Sequence, residues 1–260
     1  AFYSLDKAEV VAEASPMDWD FYIDGDVIRL NYFRSMQVAK FDQSWDKLED
    51  TVGLDFRNLT YDSYESMSQW ELAEGQIYVV DYGLDNEFNP IGLTSVRFER
   101  TTTGVKIWQN AIGSDYETFE EVNEASFYYN IREKRTLDLP KETEYDVAFG
   151  KYTDLVTIDN ITQDYLIYGA IQGKTLAYYE NEPFDSVKTE QFNAIRLMNN
   201  KDVLGWDWKN YNRPKDAYEI VDNRTYLIMS NAGFKYKLRF VSFYNTAGQS
   251  GHPTFEWKLL

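Results

Sequence analysis

The chain has 260 residues, a formal net charge of −17, no cysteine and one histidine. A surface this acidic, without a Lys/Arg cluster, excludes nucleic acid as a partner, because phosphate binding needs positive potential. The lack of cysteine removes disulfides, thiolate metal sites and Cys nucleophiles together. With 43% hydrophobic and 17% aromatic residues against only 14 Gly and 6 Pro, the composition suits a core built from sheets.

In chain order, "KAEVVAEASPMDWDFYIDGDVIRLNYF" reads as a strand, an acidic break, and a second strand opened by Trp19-Asp20-Phe21-Tyr22. Asp24-Gly25-Asp26 is a hairpin turn by composition. "SWDKLED" (44–50) and "SYESMSQWELAE" (63–74) each predict a turn or two of helix. Strands follow at 76–83, 93–101, 104–112 and 125–133, with Gly104 marking a turn. "LDLPKETEY" with Pro140 is a turn and not a tether. Tyr145-Asp146-Val147-Ala148-Phe149 then repeats the aromatic-Asp strand start. The expectation is one domain over 1–260 with two related β halves, about 1–134 and 135–260. Strands at 164–173 and 175–182 precede a short helix near 187–196, capped by Asp185 or Ser186.

The chain closes on a meander. Phe234, Tyr236, Leu238 and Phe240 alternate with Lys235, Lys237 and Arg239, predicting one buried face and one wet face. Thr246-Ala247-Gly248 and Gly251-His252-Pro253 bracket the next turn, and Phe255, Trp257 and Leu259 line one face of the last strand. The predicted class is all-β, mainly antiparallel sheets with a few short helices.

The residue inventory argues against an enzyme. There is no G-x-S-x-G, H-E-x-x-H, Walker loop or G-x-G-x-x-G, and His252 sits in a Gly-His-Pro stretch that reads as structural. A glycosidase built on paired acids has only the abundance of carboxylates behind it. No metal site is expected; "DYGLDNEFN" (81–89) fits no standard Ca²⁺ loop and reads as solvated. No stretch approaches eighteen apolar residues, and no signal peptide is read at Ala1.

The ending "KYKLRFVSFYNTAGQSGHPTFEWKLL", the aromatic-Asp strand starts and "LGWDWK" (204–209) resemble the HmuY-like haem-binding proteins of Bacteroidetes. The resemblance runs over most of the chain and is strongest over about 145–260. It implies an all-β lipoprotein of the outer membrane, held only through a lipid anchor upstream of Ala1 and facing the periplasm or the outside. It also implies capture of haem, or another small molecule, for a TonB-dependent receptor and ultimately for iron. The founding member clamps haem with two histidines and relatives use methionines; one histidine makes a bis-His site within this chain impossible. The stretch from which the family draws its ligands holds Tyr168, Tyr178, Tyr179 and Met198, whose oxygen or sulfur can ligate haem iron. Each also has a packing role open to it: Tyr178 and Tyr179, being adjacent, are expected on opposite strand faces, and Met229 in "TYLIMS" is expected in the core. The alternative is a haem-free accessory subunit docking on an outer-membrane transporter. Asp50-Thr51-Val52 and Asp185-Ser186-Val187 resemble the short O-glycosylation motif of Bacteroidetes envelope proteins, pointing to Thr51 and Ser186.

Overall fold

Alternating apolar residues over short runs produce strands almost everywhere in this computed structural model. It describes residues 1–25, 27–58, 72–85, 87, 89–114, 116–158, 160–194 and 196–260. The strands are β1 (Phe2–Ser4), β2 (Glu9–Ala12), β3 (Phe21–Asp24), β4 (Val27–Leu30), β5 (Gln37–Phe41), β6 (Arg57–Asn58), β7 (Ile77–Asp81), β8 (Leu93–Arg100), β9 (Val105–Asn110) and β10 (Glu117–Val122). They continue with β11 (Ser126–Asn130), β12 (Arg135–Leu137), β13 (Val147–Ile158), β14 (Ile161–Gln172), β15 (Leu176–Glu180), β16 (Lys209–Asn212), β17 (Ala217–Ile220), β18 (Thr225–Met229), β19 (Lys235–Tyr244) and β20 (Ser250–Leu259). Helix α1 spans Thr189–Ala194, and a 3-10 turn spans Trp45–Lys47. The expected helix over 63–74 lies largely outside the described residues, as does Asp26.

Two compact units emerge. Unit 1 comprises Ala1–Glu13, Pro140–Lys151 and Ile167–Leu260; unit 2 comprises Ala14–Leu139 and Tyr152–Leu166. In unit 2 the sheet β12-β11-β3-β4 and the meander β10-β9-β8-β7-β5-β6 share a core. Phe21, Ile23 and Tyr129 come from the first sheet, and Val80, Val96, Phe98 and Ile107 from the second. The meander's other face is covered near the 3-10 turn by Trp45 and Leu48, which pack on Ile77 and Val79. In unit 1 the sheet β14-β13-β1-β2 supplies Val147, Phe149 and Ala170. The meander β15-β18-β19-β20 answers with Tyr226, Ile228, Leu238 and Phe240. Its other face is covered at α1, where Val187 and Phe192 pack on Leu227.

The two units share several matching positions. Asp146 N–H donates to Tyr3 O (2.9 Å) and its Oδ2 accepts Leu5 N–H (2.7 Å). Asp20 N–H donates to Tyr129 O (2.9 Å) and its Oδ2 accepts Ile131 N–H (2.9 Å). Tyr3 pairs with Val147 as Tyr129 pairs with Phe21. Ala8 and Lys134 both take left-handed φ values, 58° and 53°, in the matching hairpin turns. The meanders correspond too: Tyr78 faces Val96 as Tyr226 faces Leu238, and Arg97 faces Trp108 as Arg239 faces Glu256. In each unit the opening hairpin and the aspartate strand that receives it come from sequence segments more than a hundred residues apart.

Four local expectations change. Gly251-His252-Pro253 is not a turn: those residues lie in β20, and the turn is Asn245–Gln249, where Asn245 Oδ1 accepts from the N–H groups of Ala247 and Gln249. Leu259 does not share the buried face with Phe255 and Trp257; it is 53% exposed. The supposedly wet face of β19 is partly dry, because Lys237 is buried and donates to Phe184 O (2.6 Å) and Val187 O (2.8 Å). The chain preceding α1 supplies carbonyls that satisfy the ammonium, so a charge stands where alternation predicts solvent. Helix α1 begins after Lys188, whose N–H is capped by Gln191 Oε1 (2.7 Å), not at Asp185 or Ser186.

Candidate functional site

Within unit 1, the loops beside β17–β18 and the middle of β19 enclose a pocket of about 270 Å³. Its walls are Pro183 and Phe184, the turn Ile220, Val221, Asp222, Asn223 and Arg224, and Arg239, Phe240 and Val241. Arg224 donates through Nη1 to Asp207 Oδ2 (2.5 Å) and Asp207 O (3.2 Å), and its guanidinium lies 4.8 Å from the Tyr179 ring. Its Nε is buried with no partner among the described residues. Arg239 bonds Glu256, directly across the β19–β20 ladder, and lies 5.0 Å from the Phe184 ring.

The four tyrosine and methionine candidates fall into different surroundings. Tyr178 and Tyr179 sit on β15, the edge strand of its sheet. Their backbones face Leu227 and Tyr226, so the alternation holds at Cβ. The rings nevertheless come together, with centroids 5.9 Å apart and planes 14° from parallel. Tyr179 is 36% exposed, open to a ligand and in contact with Arg224. Met198 forms a two-way backbone bridge with Ala177, the neighbour of Tyr178, at 2.8 Å each way, while its side chain packs against the main core of the unit. Met229, as expected, packs on the small core at α1.

Tyr168 belongs to a different assembly. Its ring packs on Phe243 (5.4 Å), and burial pushes its hydroxyl up to about 12, so it remains a protonated phenol. Its carbonyl accepts from Lys209 Nζ (2.5 Å), which also donates to Trp206 O (3.2 Å). Trp208, Phe243 and Tyr218 surround that ammonium at 4.6, 4.9 and 5.6 Å. Desolvation pulls the Lys209 ammonium down to about 8, against the opposing charge of Asp207. This cage was missed from the sequence, although "GWDWK" already showed a lysine flanked by aromatics. Unit 2 buries a comparable charge: Arg34 donates to Asp20 (2.5 Å), with Arg132 3.6 Å from the same carboxylate.

His252 is exposed on β20. Thr51 lies in a turn where Asp50 Oδ1 accepts from Val52 N–H (2.9 Å), and Val52 is 87% exposed. Ser186 is exposed in a turn closed on Pro183 O. Among the described residues no group of three or more His, Cys, Asp or Glu could hold a metal ion, and no helix is long and apolar enough to cross a membrane.

No curated protein matches the chain. A crystal structure of a candidate lipoprotein from Bacteroides fragilis aligns over 54% of this chain and 76% of its own, at 13% identity and a TM-score of 0.27. A likeness that remote carries no argument. The family model described as HmuY protein matches residues 1–257. With essentially its whole length matched, this all-β chain belongs to the HmuY family.

Proposed function

We propose that this chain is an outer-membrane lipoprotein that captures haem, or another small molecule, for a TonB-dependent receptor. Family membership supports the class of protein, and on this reading the chain binds and delivers without doing chemistry. The observation that carries the ligand reading is the Tyr178–Tyr179 pair, stacked on the last strand of its sheet, with Tyr179 against Arg224, a wall of the pocket. A planar ligand can lie against such rings and reach an arginine with its carboxylates. Haem here is cargo. Its iron would take phenol oxygen from Tyr178 or Tyr179, or the Met198 thioether; Tyr168 packs on Phe243 in a separate aromatic group around Lys209. Thr51 and Ser186, both in turns, are proposed as glycan acceptors, which mass spectrometry of protein from the native host checks.

The test is a hemin titration followed at the Soret band. Saturable binding without a bis-His spectrum is expected. Binding should weaken in Tyr178→Phe/Tyr179→Phe or in Met198→Ala, and stay unchanged in His252→Ala. Absence of hemin binding by the unaltered protein would discard haem and put a haem-free accessory subunit of a transporter in its place.

A further inference from the structure

Strand β14 changes surroundings half-way along its length. Its neighbour is β13, and no described strand lies beyond it in the sheet. Towards its C-terminal end, in unit 1, that open side is covered. Ala170 N–H donates to Gly205 O and Gln172 N–H to Lys201 O, both at 2.8 Å, and Tyr168 O accepts from Lys209 Nζ. Backbone groups on an antiparallel strand alternate in direction, so the same side is presented further out by Leu166, Asp164 and Thr162. There, in unit 2, no described backbone segment takes their N–H and C=O groups. The side chains of this outer half are exposed on both faces. Ile161 (65%) and Tyr165 (46%) point one way; Leu166 points the other, with Thr162, whose Oγ1 lies 2.8 Å from Thr157 Oγ1. Edge strands are ordinarily guarded by charge, proline or shortness. In this chain β20 carries Pro253 and Lys258, β10 carries three glutamates, and β2, β4 and β12 have four residues or fewer. Residues 161–166, ITQDYL, have neither proline nor lysine.

We infer that residues 161–166 of β14 are a docking edge for an extended, basic segment of a partner protein, which adds to the sheet as one more strand. The outward backbone groups supply the ladder, and the exposed apolar side chains supply the contacts that choose among strands. Charge selects the occupant. Residues 152–166 hold three aspartates and no lysine or arginine, in a chain of net charge −17. A second copy pairing edge to edge sets these carboxylates against their own kind. A segment in which lysine or arginine alternates with apolar residues offsets them and lays its apolar side on Ile161 and Tyr165 or on Leu166. The inference is independent of haem and of the pocket in unit 1.

The test uses the full chain and two labelled peptides of equal charge, read by fluorescence anisotropy. One is Lys-Val-Lys-Ile-Lys-Val-Lys; the other has proline in place of each valine and cannot form a ladder. The first should bind saturably, and the proline peptide at least about tenfold more weakly. Hydrogen exchange should show the amides of Thr162, Asp164 and Leu166 protected by the first peptide alone. Leu166→Pro removes an outward N–H and leaves the ladder to β13, so it should weaken binding about tenfold. Tyr165→Lys, at an exposed position that the fold does not depend on, should do the same, while Tyr165→Phe should leave binding unchanged. One added lysine barely alters a net charge of −17, so diffuse attraction would not respond to it. Equal binding of the two peptides, binding that survives Tyr165→Lys, or no saturable binding would overturn the inference. So would sedimentation showing a dimer of the natural chain that Tyr165→Lys breaks, since a second copy would then hold the edge. Hemin binding is measured separately, and its presence or absence leaves this edge untouched.

Discussion

Lys209 offers a direct measurement of what its aromatic cage costs. Lys209 as a residue is 2% exposed, and its affinity for the proton falls from the ordinary 10.5 to about 8 because burial disfavours the charge. A base whose folded pKa is depressed is destabilising while protonated, so stability should rise as pH climbs from about 8 towards 10, where the unfolded chain still holds the proton and the folded one does not. A shift of about 2.5 units corresponds to about 3 kcal/mol, of which about 2–3 kcal/mol should return between pH 7 and pH 10. Above pH 10 the gain is opposed, since burial raises the hydroxyls of Tyr168 and Tyr226 and these favour the folded state only while protonated. Urea melts at pH 7, 8, 9 and 10, read by tryptophan fluorescence, compare the natural chain with Lys209→Met. The variant leaves the carbonyls of Tyr168 and Trp206 without their donor and so starts less stable, but its rise with pH should be smaller, keeping only what Lys237 and the Ala1 amino group, both also held down by burial, contribute. Equal slopes in the two proteins would show that the ammonium is not desolvated as the cage implies.

Asp146→Ala should cost about 2–3 kcal/mol in denaturant melts, since it strands the buried Leu5 N–H and Ser4 Oγ, whereas Asp146→Asn should cost less because an acceptor remains. Asp20→Ala should cost more than Asp146→Ala, because it also leaves the buried Arg34 guanidinium without its counter-charge. Trp257→Ala should cost about 3 kcal/mol, at the low end for a large aromatic; the ring is only half-buried but packs edge-on against Tyr236 (5.4 Å) and donates to the Tyr3 hydroxyl (3.1 Å). A loss under about 1 kcal/mol would place that ring outside the core.

The strands were legible because period-two alternation is written in adjacent residues: β7, β8, β9, β11 and β15 fall inside segments that the sequence marks out, and β14 begins three residues ahead of its segment. What was not legible depends on partners distant in sequence. Lys237 reads as a solvent position until the chain before α1 supplies two carbonyls for it. Gly-His-Pro reads as a turn, yet the adjacent Asn245–Gln249 turn closes the hairpin first and leaves β20 to begin at Ser250. At the candidate site, the sequence pointed to Tyr178 and Tyr179 but separated them by strand alternation; only their place on an edge strand lets the rings meet. Arg224 and Arg239 went unnoticed because a turn arginine and an alternating arginine are ordinary on a surface. Their meaning comes from the pocket wall that they share with Phe184 and Asp222, segments distant in sequence.

The long-range pairing of the first hairpin also sets an order of events as the chain is made. Phe2 and Tyr3 have their strand partners at Ala148 and Val147, while Tyr128 and Tyr129 find theirs behind them at Tyr22 and Phe21. Synthesis at about 5–20 residues per second leaves the first strand waiting roughly 10–30 s for its partner to appear. By then the second hairpin, on emerging, has met a strand already waiting for it. The β12-β11-β3-β4 sheet therefore closes before the N-terminal strand is matched, and that strand is exposed in the meantime to other unpaired strands. A nascent chain held extended until its end arrives, as during passage through a membrane, escapes that interval altogether.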